Sequence, residues 1–168
     1  LALLVPGAAG AQERMYFPAR EDAIQPILAA IRAETVRIDI SAWYLTERLI
    51  SVAIADAYLN RGVPVRLIGD RASIFEIDQN TRREFFWLAE RGIPIRLRYH
   101  PTNHPTIDHW KAGIFVGQRL VEFGSANWTT FELAPDPSNA ANYHDETVLF
   151  TTDPALVDAF STQFDRYW

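Results

Sequence analysis

Apolar positions along the chain alternate between two spacings, and the switches between them outline the fold. In EDAIQPILAAIRAE (21–34), Ile24, Ile27, Leu28 and Ile31 recur at helical spacing behind the acidic pair Glu21 and Asp22, which suits a helix N-terminus. VRIDISAW (36–43) alternates and is rich in β-branched residues, so it predicts a strand. ERLISVAIADAYLNRG (47–62) predicts an amphipathic helix stopped by Gly62, and VPVRLIGD (63–70) a strand. The same pair of elements follows again as TRREFFWLAERG (81–92) and IPIRLRYH (93–100).

The joint between helix and strand repeats with them. Arg61-Gly62-Val63-Pro64-Val65-Arg66-Leu67 returns thirty residues later as Arg91-Gly92-Ile93-Pro94-Ile95-Arg96-Leu97. That spacing suits one strand–helix–strand step and predicts neighbouring parallel strands. The last third differs. After a Pro-rich loop (101–108), strands are expected at about 109–116 and 119–124 around a Gly117-Gln118 turn, then a long polar loop (129–143) and a strand (144–152). DPALVDAFSTQFDRYW (153–168) predicts a closing helix, with Asp153 as N-cap, Pro154 in the first turn and Leu156, Phe160, Phe164 and Tyr167 along one stripe. The expected architecture is an α/β domain with a mixed, mainly parallel central sheet and helices on both faces.

Length fits one domain: 168 residues can bury a core without staples. With no Cys, neither a disulfide framework nor a thiolate metal site is available. A net charge of −5 advertises no general grip on nucleic acid, although Arg61, Arg66, Arg71, Arg82, Arg83, Arg91, Arg96 and Arg98 crowd the middle third, where they are expected mostly as solvated helix-end charges. The opening LALLVPGAAGAQ is apolar, then small, and reads as the tail of a signal peptide with a small-x-small site at Ala9-Gly10-Ala11. On that reading residues 1–11 are a remnant, 12–168 form the mature domain, and the protein is exported to the periplasm or secreted. No stretch approaches the ~20 apolar residues of a membrane span.

Candidate chemistry lies in the predicted hairpin. A strand period of two puts His109 and Lys111 on one face, and likewise Ser125 and Asn127 of Gly124-Ser125-Ala126-Asn127. Hairpin pairing would gather an imidazole, an ammonium, a hydroxyl and an amide at one sheet edge, a set suited to a phosphoryl group that needs several positioned donors. Either run alone says little; their joint occurrence at this spacing is specific.

On these residues the chain resembles the phospholipase D superfamily, whose signature is His-x-Lys, four residues, Asp, and later Gly-Ser-x-Asn. The likeness extends over SAWYLTE (41–47), ADAYLNRGVPVRLIGD (55–70) and the closing strand and helix, about residues 14–168 in all, as one phospholipase D-like half. The signature Asp, mostly a supporting residue in that family, is Val116 here.

The resemblance implies a phosphodiesterase that works in two steps. His109 would form a covalent phosphohistidine, with Lys111, Ser125 and Asn127, and Gly124 beside them, holding the phosphate. A carboxylate would orient His109; Glu146 is the best match and Asp145 the second. No metal or cofactor is implied. The second histidine would come from a homodimer partner or from the missing C-terminal half of a two-motif chain. His100 and His104 are expected in a loop, and His144 on a strand beside the site. Substrate remains open between phospholipid and, for a non-specific metal-independent nuclease, nucleic acid. Val116 also keeps open a catalytically weak domain that binds an anion or pairs with an active partner. Trp110, Trp128 and Phe131 are expected in the core rather than at an apolar rim.

Overall fold

The computed structural model describes residues 12–99, 107–136 and 144–168. Its strands are β1 (Glu13–Tyr16), β2 (Ile38–Ala42), β3 (Val65–Asp70), β4 (Ile95–Arg98), β5 (Lys111–Phe115), β6 (Leu120–Gly124) and β7 (Val148–Thr151). Its helices are α1 (Ile24–Ala33), α2 (Arg48–Leu59), α3 (Gln79–Ala89), the short α4 (Thr130–Leu133) and α5 (Pro154–Tyr167), with one π-helical turn at Ser73–Ile77.

One sheet runs in the order β1-β7-β6-β5-β2-β3-β4. It is mixed, as expected, but its parallel part is confined to β2-β3-β4. The pairs β2–β5, β5–β6, β6–β7 and β1–β7 are antiparallel, so among the described strands antiparallel pairs predominate. Connectivity accounts for part of this: the tight turn 116–119 makes β5 and β6 run back on one another, whereas β2–β3 and β3–β4 are each bridged by a helix and can run parallel.

The repeated joint behaves as its residues suggest. Gly62 and Gly92 sit past the ends of α2 and α3 with φ of 67° and 77°, and β3 pairs parallel with β4 through Leu67↔Ile95. Of the arginines there, Arg61 is no free charge: it donates to the carbonyls of Ile31, Arg32 and Glu34 at the end of α1.

Alternation along each strand divides the core. Ile38, Ile40, Leu67 and Phe115 pack with Ile27, Ile31, Ile50, Ile54 and Phe85 of α1, α2 and α3. Ile68, Ile114 and Val121 face the opposite way, onto Val157 and Phe164 of α5. Helices therefore cover both faces. The turn between β5 and β6 is anchored to α1 by Glu34, whose carboxylate accepts from the backbone of Thr35, Val36, Gly117 and Gln118. Burial pushes this carboxyl up, yet those N–H bonds outweigh it and hold it below its ordinary range.

β1 and the π-helical turn have no counterpart in the sequence reading, whereas α4 lies inside the expected loop 129–143.

Candidate active site

β5 begins at Lys111, so His109 lies just before the strand rather than in it. Its imidazole is exposed and lies against Trp43, with ring centroids 4.4 Å apart. Lys111 is 5% exposed; its Nζ donates to the His109 carbonyl at 2.9 Å and stands 4.9 Å over the same indole. Trp43 follows β2 and is held by its N–H bond to the Trp110 carbonyl, so one aromatic plate supports both groups. A cleft of 240 Å³ opens along His109, Lys111, Gly124 and Phe123.

The electrostatics favour a neutral imidazole. Burial lowers the His109 pKa, Lys111 lowers it further, and Asp108, Asp70 and Glu132 oppose them. The Lys111 pKa is also lowered by burial, against the pull of Glu132, Glu146 and Asp108.

The Gly-Ser-x-Asn run ends β6 at Gly124 and then leaves the ladder. Gly124 has a packing reason to be glycine: a Cβ there would stand 1.9 Å from the Thr147 carbonyl oxygen. Ser125 is exposed, and its Oγ accepts from Thr147 N at 3.0 Å. Asn127 is 6% exposed. Its backbone N donates to Glu132 at 2.7 Å, and its Nδ2 reaches both Glu132 oxygens at 3.0 and 2.9 Å. Its Oδ1 is buried without a hydrogen-bond partner. The simple picture of four polar groups on one strand face is therefore corrected. Only Lys111 is in a ladder, and Ser125 and Asn127 are placed by turns beyond β6.

Glu146 lies within electrostatic reach of Lys111, just ahead of β7. Asp145 instead lines a separate cleft with Arg14, Phe17 and Arg20. His144 is exposed and precedes β7, not on a strand; His100 and His104 lie outside the described residues. Trp128 is fully buried and Trp110 packs on Phe160 and Tyr167 of α5, but Phe131 is 66% exposed, contrary to the expectation of core packing. Val116 stands just past the far end of β5, about 16 Å from Lys111 at roughly 3.3 Å per residue. Its substitution for Asp thus removes no carboxylate from the neighbourhood of His109.

Three carboxylates near the site were not read from the sequence. Glu132, on α4, lies where the sequence predicts loop; a carboxylate five residues past the Asn is its only local signal. Asp70 and Asp108 come together from β3 and the lead into β5, a contact that no spacing announces. Among the described residues no group of three or more His, Asp or Glu is assembled to hold a metal ion.

A mixed sheet with His-x-Lys entering one strand and Gly-Ser-x-Asn leaving the next defines the class, a phospholipase D-like α/β domain. Residues 27–168 match the family described as cardiolipin synthase, PLD-like domain, and the chain belongs to it. Two curated relatives are both named mitochondrial cardiolipin hydrolase. The one from Chlamydomonas reinhardtii is 28% identical over 80% of this chain and 52% of its own length. The one from Danio rerio is 30% identical over 64% of this chain and 40% of its own. The chain thus spans about half the length of the curated relatives it matches. Among solved structures, the phospholipase D family member Nuc from Salmonella typhimurium superposes with a TM-score of 0.75 at 24% identity, over 94% of each chain. NucT from Helicobacter pylori gives 0.72 at 20% identity, over 93% of this chain and 94% of that one. These likenesses speak for the fold.

The expectation of export is corrected. Both curated relatives are named as mitochondrial, and residues 1–11, on which that expectation rested, lie outside the described residues. An apolar start rich in small residues is too generic a signal to fix a destination. Among the described residues no helix is long and apolar enough to cross a membrane.

Proposed function

We propose that this domain hydrolyses phosphodiesters of the phospholipid type through a phosphohistidine on His109. An imidazole nitrogen of His109 attacks phosphorus, the bond to the leaving alkoxide breaks, and a second histidine donates that alkoxide its proton. Water, deprotonated by the same second histidine, then releases phosphate monoester and restores His109. Lys111, Ser125 and Asn127 bind the non-bridging oxygens beside Gly124, and Glu146, whose charge acts on Lys111 rather than on the His109 ring, balances that cation. A second copy of the chain across a two-fold axis, or another segment of a longer chain, provides the second histidine.

The observation that carries this reading is the pairing of an exposed imidazole with a buried Lys111 on the shared Trp43 plate. A nucleophile open to substrate and a cation that cannot wander are what attack on an anionic centre requires. The names of the curated relatives support a glycerophospholipid substrate.

A second reading, cleavage of nucleic acid, is favoured by a different feature. Arg96 and Arg98 of β4 lie over Trp168 and Tyr167 at 4.5 and 3.8 Å, and Tyr167 touches Trp110 at the cleft, so a cationic and aromatic strip leads to His109.

Bis-p-nitrophenyl phosphate tests the core of the proposal. Turnover should vanish in His109→Ala, and mass spectrometry after neutral quenching should find a p-nitrophenyl phosphoryl group on His109; undiminished turnover in that variant would overturn it. Anionic phospholipid vesicles and single-stranded DNA, offered in parallel, separate the two readings.

A further inference from the structure

Two carboxylates are sealed behind His109. Asp70, the last residue of β3, is 1% exposed, and Asp108 is 5% exposed. Asp70 accepts from Ser73 N at 2.8 Å through one oxygen and from Asp108 N at 3.0 Å through the other. Asp108 in turn accepts from Ser41 Oγ of β2 at 2.7 Å, and Trp110 N lies 3.5 Å from its second oxygen. The Trp110 carbonyl accepts from Trp43 N at 2.9 Å, and the His109 carbonyl from Lys111 Nζ.

These contacts bracket His109. Its residue lies outside regular strand, where no ladder fixes the backbone, yet the flanking peptide groups are bound, Asp108 N to Asp70 of β3 and the Trp110 carbonyl to Trp43 just past β2, while Ser41 of β2 holds the Asp108 side chain. Buried carboxylates are costly and persist only where hydrogen bonds compensate them. Here their bonds run to the backbone that carries the candidate nucleophile.

We propose that Asp108 and Asp70 are the positioning residues of His109, holding its backbone in place and setting two acidic groups against the imidazole to balance Lys111. The inference rests on the proposed role of His109. The charged groups facing the ring are Lys111 on β5, Asp108 on the lead into β5, Asp70 on β3 and Glu132 on α4; β2 contributes no charge, and the Trp43 ring that follows it is uncharged. Burial raises the Asp108 pKa, and its bonds from Ser41 and Trp110 and the charge of Arg98 on β4 act against that rise. The pair thereby keeps the histidine able to take up a proton, although Lys111 and burial push the other way.

Asp108→Asn is the decisive variant, since it keeps shape and one acceptor but removes the charge. An NMR titration of the His109 ring reads the effect without any turnover, so it stands or falls separately from the catalytic reading. Asp108→Asn should lower the His109 pKa by about half a unit or more, and Asp70→Asn should move it the same way by less. With bis-p-nitrophenyl phosphate, the acid limb of kcat/KM should move by the same amount, and kcat should fall more than KM rises. If Asp108→Asn does not fold, Asp70→Asn carries the test alone. An unshifted His109 titration in a folded variant, with only the melting temperature lowered, overturns the proposal. A shifted titration in a protein without diesterase activity upholds the positioning and sinks the catalytic assignment instead.

Discussion

Asn127 is held by Glu132 through both its backbone N and its side-chain Nδ2, so the asparagine of the signature is fixed from behind before any substrate arrives. One carboxylate thereby sets the direction of the amide and the path of the chain leaving β6. A Gln at 132 would turn an NH2 toward two donors. Glu132→Gln should cost about 1–3 kcal/mol in urea denaturation and lower kcat on bis-p-nitrophenyl phosphate at least ~10-fold. Unchanged stability with unchanged kcat would show that this clamp carries nothing.

Glu122 of β6 gives a second prediction, about pH. It is fully buried, and neither oxygen has a hydrogen bond of normal geometry. Burial lifts its pKa from 4.5 to about 8, and the nearby N–H groups of Trp128 and Gly113, too poorly placed to satisfy it, oppose the rise without cancelling it. The folded protein therefore keeps a proton that the unfolded chain releases. No stability is lost below the unfolded pKa; it declines as pH rises from there and stops declining above the folded one. Glu122→Gln should gain on the wild type across pH 5–8, by up to about 1.4 kcal/mol per pH unit. Parallel stability curves for the two proteins over that window would contradict the buried proton.

The third prediction concerns catalysis at ordinary pH. Because burial and Lys111 hold the His109 pKa below 6.5, kcat/KM should climb through an acid limb that lies below that value. Trp43→Ala exposes the ring and removes the plate beneath Lys111. It should move the limb upward and reduce kcat, as a pH–rate series on the same diester would register.

A fourth tests the sheet itself. In Gly124→Ala the new methyl meets the Thr147 carbonyl and must spread β6 from β7. A loss of about 1–3 kcal/mol is expected, with activity falling in step as Ser125 loses its bond to Thr147 N. Wild-type melting for this variant would mean that the strands part without penalty.

What the sequence disclosed followed the range of each interaction. Helix stripes, the two glycine stops and the strand adjoining each motif are local patterns, and the structure places them within a few residues of expectation. β1 escaped notice because ERMY is four residues long, largely exposed, and defined only by its partner β7. The antiparallel half was under-read because pairing direction depends on what joins the strands. At the site, His109 and Lys111 are conspicuous in type and spacing. Their supports, Asp70, Asp108, Glu132 and Trp43, come from four separate stretches and become visible only once β2, β3 and β5 lie side by side.

β2 is where the two halves of the sheet meet, parallel to β3 on one side and antiparallel to β5 on the other. Its carboxyl end is such a reversal point, where α/β sheets leave a crevice. The register Ala42↔Lys111 puts the start of β5 there. By the same directions, β4 and β6 finish at that end and β7 begins there. The connections 99–110 and 125–147 must both set out from and return to the rim around His109. Fold and ligand choice are thus separable in this architecture. Changes to those two connections that spare 107–110, 125–133 and 144–147 would alter the approach to His109 while every ladder in the sheet stays in register.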